Sequence, residues 1–424
     1  MKNKSSILSK LGPGLLYAGA AIGVSHLVQS TRAGASFGIS MLFVVILANF
    51  FKYPFFQYGP RYVAATGKSL LHGYKKLGSW AIWVFFILTL GTMFILQGAV
   101  TMVTAGLAKF LTGSSLSIGF WILIILALSI GLLISGKMKV LDRFMKVVML
   151  VLAITTIAAA IASMFANVAH TTVAPNFSFA NRNHIFFLIA FIGWMPAPID
   201  ISVWYSVWSE TKNKDMKVQS SLKSSLFDFS VGYWGTAFLA LCFVALGAFM
   251  LHNTGVELSP SAVVFAGQII EAYSNSLGSW ATPIIAVAAF TTMLSTTVSV
   301  MDGITRVMVP TTHYLFFSST LSSEKVPAKE SKKHFLIWLT ILGIGSYLLV
   351  FNFAQDMKQM VDFATSLSFL TAPILAYLNV KVMESIEIRE EYRPSKFTRM
   401  VSYLGLLILV GFSLVYLGYK LGII

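Results

Sequence analysis

The stretch Gly19-Ala20-Ala21-Ile22-Gly23-Val24-Ser25-His26 puts glycines, a hydroxyl and an imidazole in the middle of an apolar run from Leu11 to about Thr31. A second stretch, Gly193-Trp194-Met195-Pro196-Ala197-Pro198, interrupts a later run, and its two prolines lack N–H donors and strain the helical ladder. Paired breaks at matching places in two halves of a polytopic chain point to the binding site of a transporter. Two chemistries are on offer there. Met195 and His26, with Asp200 as the one nearby carboxylate, suit a soft or borderline metal ion. Alternatively, Gly23, Ser25, His26, Gln29 and Ala197 leave a neutral to positive pocket, at which half-helices direct free N–H groups, suited to a small anion or neutral polar solute. Ser295, Thr296 and Thr297 supply hydroxyls that, together with carbonyls of the first break, suit a monovalent coupling cation such as Na+. Each of these residues also has a plainer use. His26 can be a hydrogen-bonded packing residue, Asp200 a helix-start carboxylate, and the hydroxyls partners of their own backbone.

The elements that must position these residues are membrane spans. The 424 residues are 56% hydrophobic and 11% charged, with a mean hydropathy of +0.77, and apolar runs of bilayer length recur throughout. The length rule predicts eleven helical spans at 11–32, 38–62, 79–108, 115–136, 144–168, 183–208, 226–251, 279–309, 335–354, 361–383 and 400–421. The connections 209–225, 252–278 and 310–334 are the longest, and 260–273 has the apolar spacing of a short helix outside the membrane. No large soluble domain is expected. The net charge of +15 suggests nucleic acid in a soluble protein, but here it follows from the placement of Lys and Arg. Lys2, Lys4 and Lys10, Lys68, Lys75 and Lys76, Lys137 and Lys139, Lys212 to Lys223, Lys325 to Lys333, and Lys381 to Arg399 fall on one side. Arg32, Lys109, Arg182, Lys358 and Lys420 fall on the other. The positive-inside rule makes the protein a multi-pass cell (inner) membrane protein with a cytoplasmic N-terminus and an external C-terminus. The basic Met1–Lys10 segment has no cleavage site of a signal peptide. The single Cys242 excludes a disulfide framework, and no nucleotide loop, triad or His/Cys cluster suggests an enzyme or a receptor.

Spans 1–5 and 6–10 form two sets of five, each opening with a broken helix, and an odd number makes the second set enter from the opposite side. The single transporter domain then comprises a first repeat at 11–168, an inverted repeat at 183–383 and an accessory helix at 400–421. That is the all-α plan of the LeuT-type transporters. Gly12-Pro13-Gly14-Leu15 before the first break, Arg32-Ala33-Gly34-Ala35-Ser36-Phe37-Gly38 after it, and Met195-Pro196 resemble the Nramp divalent-metal transporters. Asp228, Ser295-Thr296-Thr297 and Pro373 also fall where that family's patterns lie.

The departures from the family decide the expectation. At the first break the family has Asp-Pro-Gly-Asn; this chain has Gly23-Val24-Ser25-His26, so the metal-binding Asp becomes Gly23 and the Asn becomes His26. The His of the family's Met-Pro-His becomes Ala197, and its Gln on span 10 becomes, by offset from Pro373, Thr365. Of the four metal-ligand positions only Met195 keeps its residue. The acidic residues that the family uses on span 3 for proton movement have no counterpart, since residues 1–141 contain no Asp or Glu. A dehydrated dication needs a carboxylate to offset its charge. The expectation is an Nramp-related secondary transporter of a small anion, bicarbonate-like in size, or a neutral solute, coupled to Na+. It would work as a monomer without a further cofactor or a nucleic-acid partner. The alternative is a divalent-metal (Mn, Fe or Mg) transporter through Met195, His26 and Asp200. Trp194, Trp204, Tyr205 and Trp208 read as packing residues, Asp302 and Arg306 as an i,i+4 pair, and Lys52, a lysine in mid-span, has no assigned role.

Overall fold

The computed structural model describes residues 12–135, 138–166, 168, 171–173, 176–217, 219–317, 328–351, 356–385 and 388–423, with backbone alone at 138–146, 148, 328 and 329. The basic segment Met1–Lys10, Lys137 and Lys325 lie outside the described residues. The described chain is helical. In order run α1 (Pro13–Ala21), a π-helical stretch (Ser25–Ser30) continuous with α2 (Thr31–Phe37), α3 (Met41–Thr66), α4 (Leu70–Leu77) and α5 (Ser79–Thr112). Then follow α6 (Ile118–Ser135), α7 (Met138–Ser163), α8 (Arg182–Gly193), α9 (Asp200–Met216) and α10 (Leu222–Met250). The last are α11 (Ala262–Leu277), α12 (Thr282–Phe316), α13 (Ala328–Phe351), α14 (Met357–Glu384) and α15 (Lys396–Leu421). Among the described residues eight helical stretches are long and apolar enough to cross a bilayer. The expected spans 5 and 6 fall on shorter apolar helices, Met149–Ser163 within α7 and Arg182–Gly193. The short α4 is absent from the sequence reading, because its amphipathic eight residues are too few for the length rule. The helix expected at 260–273 is α11.

Both predicted breaks are present. The first separates α1 from the π-helical stretch at residues 22–24, and the second separates α8 from α9 at 194–199. The Met195–Pro196 peptide is cis.

Packing explains why the resemblance motifs have the residues they have. α10 lies along both pieces of the first span. Any side chain at Gly232 would meet the backbone of Gly14, and any at Gly34 would meet the backbone of α10 at Val244 and Ala248. Small residues let the backbones approach, which is how helices associate where apolar burial gives no preference. Asp228, at the start of α10, accepts the N–H groups of Gly12 and Gly14 at 2.8 Å each and the Tyr205 hydroxyl at 3.0 Å. It therefore caps the N-terminus of α1 rather than that of its own helix. α12 packs along α5, α14 along α8, and α9 along α3 and α12. These pairs surround the two breaks.

Candidate functional site

The second half of the site is built by α8 and α9. The helix ends at the prolines, so the last carbonyls of α8 and those of the loop lose their i+4 donors, and the Ile192 carbonyl keeps only a short bond from the Met195 N–H at 3.1 Å. Lys52, buried in α3, supplies the donors. Its Nζ lies 2.9 Å from the Ile192 carbonyl, 3.0 Å from Gly193, 3.0 Å from Met195 and 3.2 Å from Ala197. Ala197 thus contributes a carbonyl to Lys52 rather than a contact to cargo. Asp200 stands, buried, in the first turn of α9. This matches the helix-start reading and keeps Asp200 off the cavity wall described below. Met195 is buried with Phe191, Ala33, Val45, Ala240 and Val244, in a small apolar cluster toward α2, α3 and α10.

At the first break, Thr296 of α12 does the corresponding work. Its Oγ1 is 2.9 Å from the Gly19 carbonyl, 2.9 Å from Ile22 and 3.1 Å from Thr292 in its own helix. Gly23 is what allows this approach: a Cβ there would sit 2.6 Å from the Thr296 methyl and 2.8 Å from its hydroxyl. The space that a side chain at position 23 would need is occupied by Thr296. Ser295 lies beside Gly19. Thr297 does not belong to this group, since its hydroxyl turns to Thr104 of α5 at 2.7 Å and to the Met293 carbonyl at 2.9 Å.

His26 is held from both sides. Nε2 faces the Thr236 carbonyl of α10 at 2.9 Å and therefore carries a hydrogen, because a carbonyl only accepts. Nδ1 faces the Ser25 hydroxyl at 2.7 Å, which also lies 2.6 Å from the Ala21 carbonyl. The ring meets Phe243 edge-on. His26 is accordingly a brace between the break and α10, while Met195 sits in the apolar cluster with Phe191 and Val244 and Asp200 in the first turn of α9. Among the described residues there is no group of three or more His, Cys, Asp or Glu able to hold a metal.

Gln29 and Thr365 also have other work. Gln29 donates to Asp362 at 3.1 Å and to the Thr365 hydroxyl at 3.3 Å, and accepts from Arg32 at 2.8 Å. Arg32 makes a two-pronged pair with Asp362 at 2.7 and 2.9 Å, and its guanidinium lies over the Phe187 ring. These residues latch α2 to α14. Asp362, near the start of α14, is one jaw of the latch.

Between the breaks lies a small cavity of about 20 Å³, room for roughly one water molecule. Ala20, Ala21, Val24 and Ser25 form one wall, Trp194, Pro198, Ile201 and Trp204 another, and Leu96, Val100, Thr296 and Val300 the remainder. Of the side chains expected to bind cargo, Ser25 is in this wall, and Thr296 joins it from the expected coupling-ion group. Trp194 and Trp204 line the cavity and are at the same time buried in the main apolar core, in keeping with their reading as packing residues. The Trp194 indole donates to Ser368 at 2.8 Å, whereas the buried Trp204 indole N–H has no partner among the described residues. Leu96 and Val100 were missed, because nothing in an apolar helix marks the face turned to a cavity. Lys52 did carry a signal. An ionisable residue at mid-span has a function by default, but its partners are backbone carbonyls and leave no side-chain pattern. The Asp302–Arg306 pair is present, closing at 2.7 Å, with Trp208 donating to Asp302 at 3.0 Å.

Comparison with known proteins follows this geometry. The profile described as "Nramp: Natural resistance-associated macrophage protein-like" matches residues 14–418. An uncharacterised protein of Pasteurella multocida (strain Pm70) is 34% identical over 421 residues, 98% of this chain and 94% of that protein. A mutant of the Eremococcus coleocola manganese transporter superposes with a TM-score of 0.73 at 14% identity, covering 98% of this chain and 88% of that one. MhsT in complex with L-phenylalanine superposes with a TM-score of 0.63 at 15% identity, covering 95% of this chain and 98% of that one.

Proposed function

This chain belongs to the Nramp family and is a secondary transporter of the LeuT-type fold, and from that premise we propose that its cargo is a small uncharged or anionic solute carried with Na+, rather than a bare divalent cation. The observation that carries the proposal is the wall of the cavity between the breaks. It has apolar side chains, two hydroxyls and two indoles, and no carboxylate, imidazole or thioether. A dication there would have neither charge compensation nor ligands of its preference. The family fold does not select the cargo by itself. Fold neighbours carry manganese in one name and L-phenylalanine in another.

Within the proposed class, the uncharged solute is favoured. The N-terminus of α9, which would attract an anion, already faces the Asp200 carboxylate. The Trp204 N–H, without a partner among the described residues, suits a solute with a hydrogen-bond acceptor. Coupling to Na+ is supported by three oxygens gathered at one point: the Gly19 and Ile22 carbonyls and the Thr296 hydroxyl. In this reading Na+ takes those three oxygens as ligands and the hydroxyl turns its hydrogen away. The basic face lies in the cytoplasm, with the N-terminus on that side of the inner membrane and the C-terminus outside.

The test is uptake by the purified protein in proteoliposomes under an inward Na+ gradient, with Mn2+, bicarbonate and neutral amino acids as probes. The expected result is saturable, Na+-driven uptake of a neutral or anionic probe and none of Mn2+. Saturable Mn2+ uptake that Met195→Ala abolishes would overturn the proposal and establish the metal alternative.

A further inference from the structure

The buried ammonium of Lys52 has no place in the cargo cavity, yet it is among the most completely coordinated groups in the protein. Its side chain is 2% exposed, and four carbonyls of one helix break surround its nitrogen between 2.9 and 3.2 Å. An ammonium has three hydrogens, so four acceptors saturate it. The carbonyls come from both sides of the break: Ile192 and Gly193 end α8, and Met195 and Ala197 belong to the proline-interrupted loop. Unwound carbonyls and the negative end of a half-helix are the features that hold a free cation in transporters with broken helices. Here a cation already occupies them, and it is tethered to α3.

We propose that Lys52 is a built-in cation that permanently fills the carbonyl cage of the second break, closing this half of the site to any transported or coupling cation. The inference rests on the cargo reading above in one respect: a cation fixed at the break is intelligible when the cargo is not itself that cation. Asp200, a buried carboxylate in the first turn of α9, carries the opposite charge on the far flank of the break. A tethered cation also explains how two breaks can differ in use. The carbonyls of the first break are bridged by a neutral hydroxyl that an ion can displace, and those of the second by a charge that cannot leave.

If Lys52 acts as a cation, a free primary ammonium should replace it. The full-length Lys52→Ala variant, purified in detergent, is followed by thermal unfolding while methylammonium chloride is titrated. Tetramethylammonium chloride, which has the charge but no N–H donors, serves as the control. The variant is expected to unfold several degrees below the unsubstituted protein. Methylammonium should restore most of the loss in a saturable way, with no response to tetramethylammonium and none from the unsubstituted protein. If the variant does not survive extraction, the same ion added during expression and extraction is expected to recover a monodisperse species by size exclusion. A variant that unfolds with the unsubstituted protein overturns the proposal. So does one whose loss, by melting or by extraction, ignores methylammonium. No cargo enters this readout. Mn2+ uptake would remove the cargo reading and leave the methylammonium response standing, and a missing methylammonium response would remove Lys52 while leaving the uptake result intact.

Discussion

At the scale of residues, the site is organised by two substitutions of role. Gly23 stands where the resembling family has a metal-binding Asp, and Thr296 fills the space that a side chain there would need from the neighbouring helix. Restoring the acid should therefore fail. Gly23→Asp is expected to destabilise by about 1–3 kcal/mol through overpacking against Thr296. Calorimetry with Mn2+ should then show no binding; a micromolar Mn2+ site with unchanged thermal stability would contradict the packing argument. Thr296→Val tests the coupling site from the other direction. It leaves the Gly19 and Ile22 carbonyls without their donor and removes one proposed Na+ ligand. The half-saturating Na+ concentration for uptake should rise roughly tenfold, since Na+ loses one of its three proposed ligands and about 1.4 kcal/mol of lost binding is a factor of ten. Uptake with unaltered Na+ dependence would exclude Thr296 as a ligand. Candidate residues were legible by type, because glycines, a histidine and prolines stand out in apolar runs. Their partners were not. His26 reaches Thr236 across 210 positions, and Lys52 reaches backbone atoms whose chemistry every residue shares.

At the scale of elements, two latches close the two ends of the first span. One is the Asp228 cap on the N-terminus of α1, the other the pairing of Arg32 with Asp362 between α2 and α14. With both engaged, the cavity residues between the breaks are buried. The latches differ in nature. The first is a carboxylate on backbone N–H groups and cannot be replaced by a neutral side chain without loss of the charge-assisted part of those bonds. The second is a forked ion pair whose Asp362 side chain is 36% exposed, so its stability contribution is small and its value is directional. Arg32→Ala should accordingly leave thermal stability nearly unchanged while opening α2 from α14. With Cys242 replaced by Ser and Ser25→Cys as reporter, labelling by a membrane-impermeant methanethiosulfonate should accelerate severalfold from the Arg32 side. Unchanged labelling would show that the pair does not gate the cavity. The breaks themselves were legible, since proline and paired glycine act locally; the latches join residues as much as 330 positions apart and follow from packing alone.

At the scale of the whole molecule, the basic residues sort by end. Arg61 donates to the Tyr392 and Arg393 carbonyls, Lys75 to Tyr314, Gln219 to Ala64, and Ser69 to Glu210, gathering the segments assigned to one side. At the opposite end Lys358 donates to Leu258, Arg182 to Tyr419, and Thr171 to Asn253. Orientation is tested by single cysteines in the Cys242→Ser background: Lys420→Cys should be labelled by an impermeant reagent in intact cells, and Lys217→Cys only after permeabilisation. The reverse result would invert the protein in the bilayer. Composition and spacing determined the membrane setting, the helical class, the positions of the two breaks and the division of basic residues, because each depends on the periodicity or charge of a local stretch in contact with lipid or water. Which groups face the cavity was decided only by the tertiary structure. A hydroxyl and an ammonium each satisfy a broken helix from a distant element, and only the packing of α3 and α12 against the breaks selects between them.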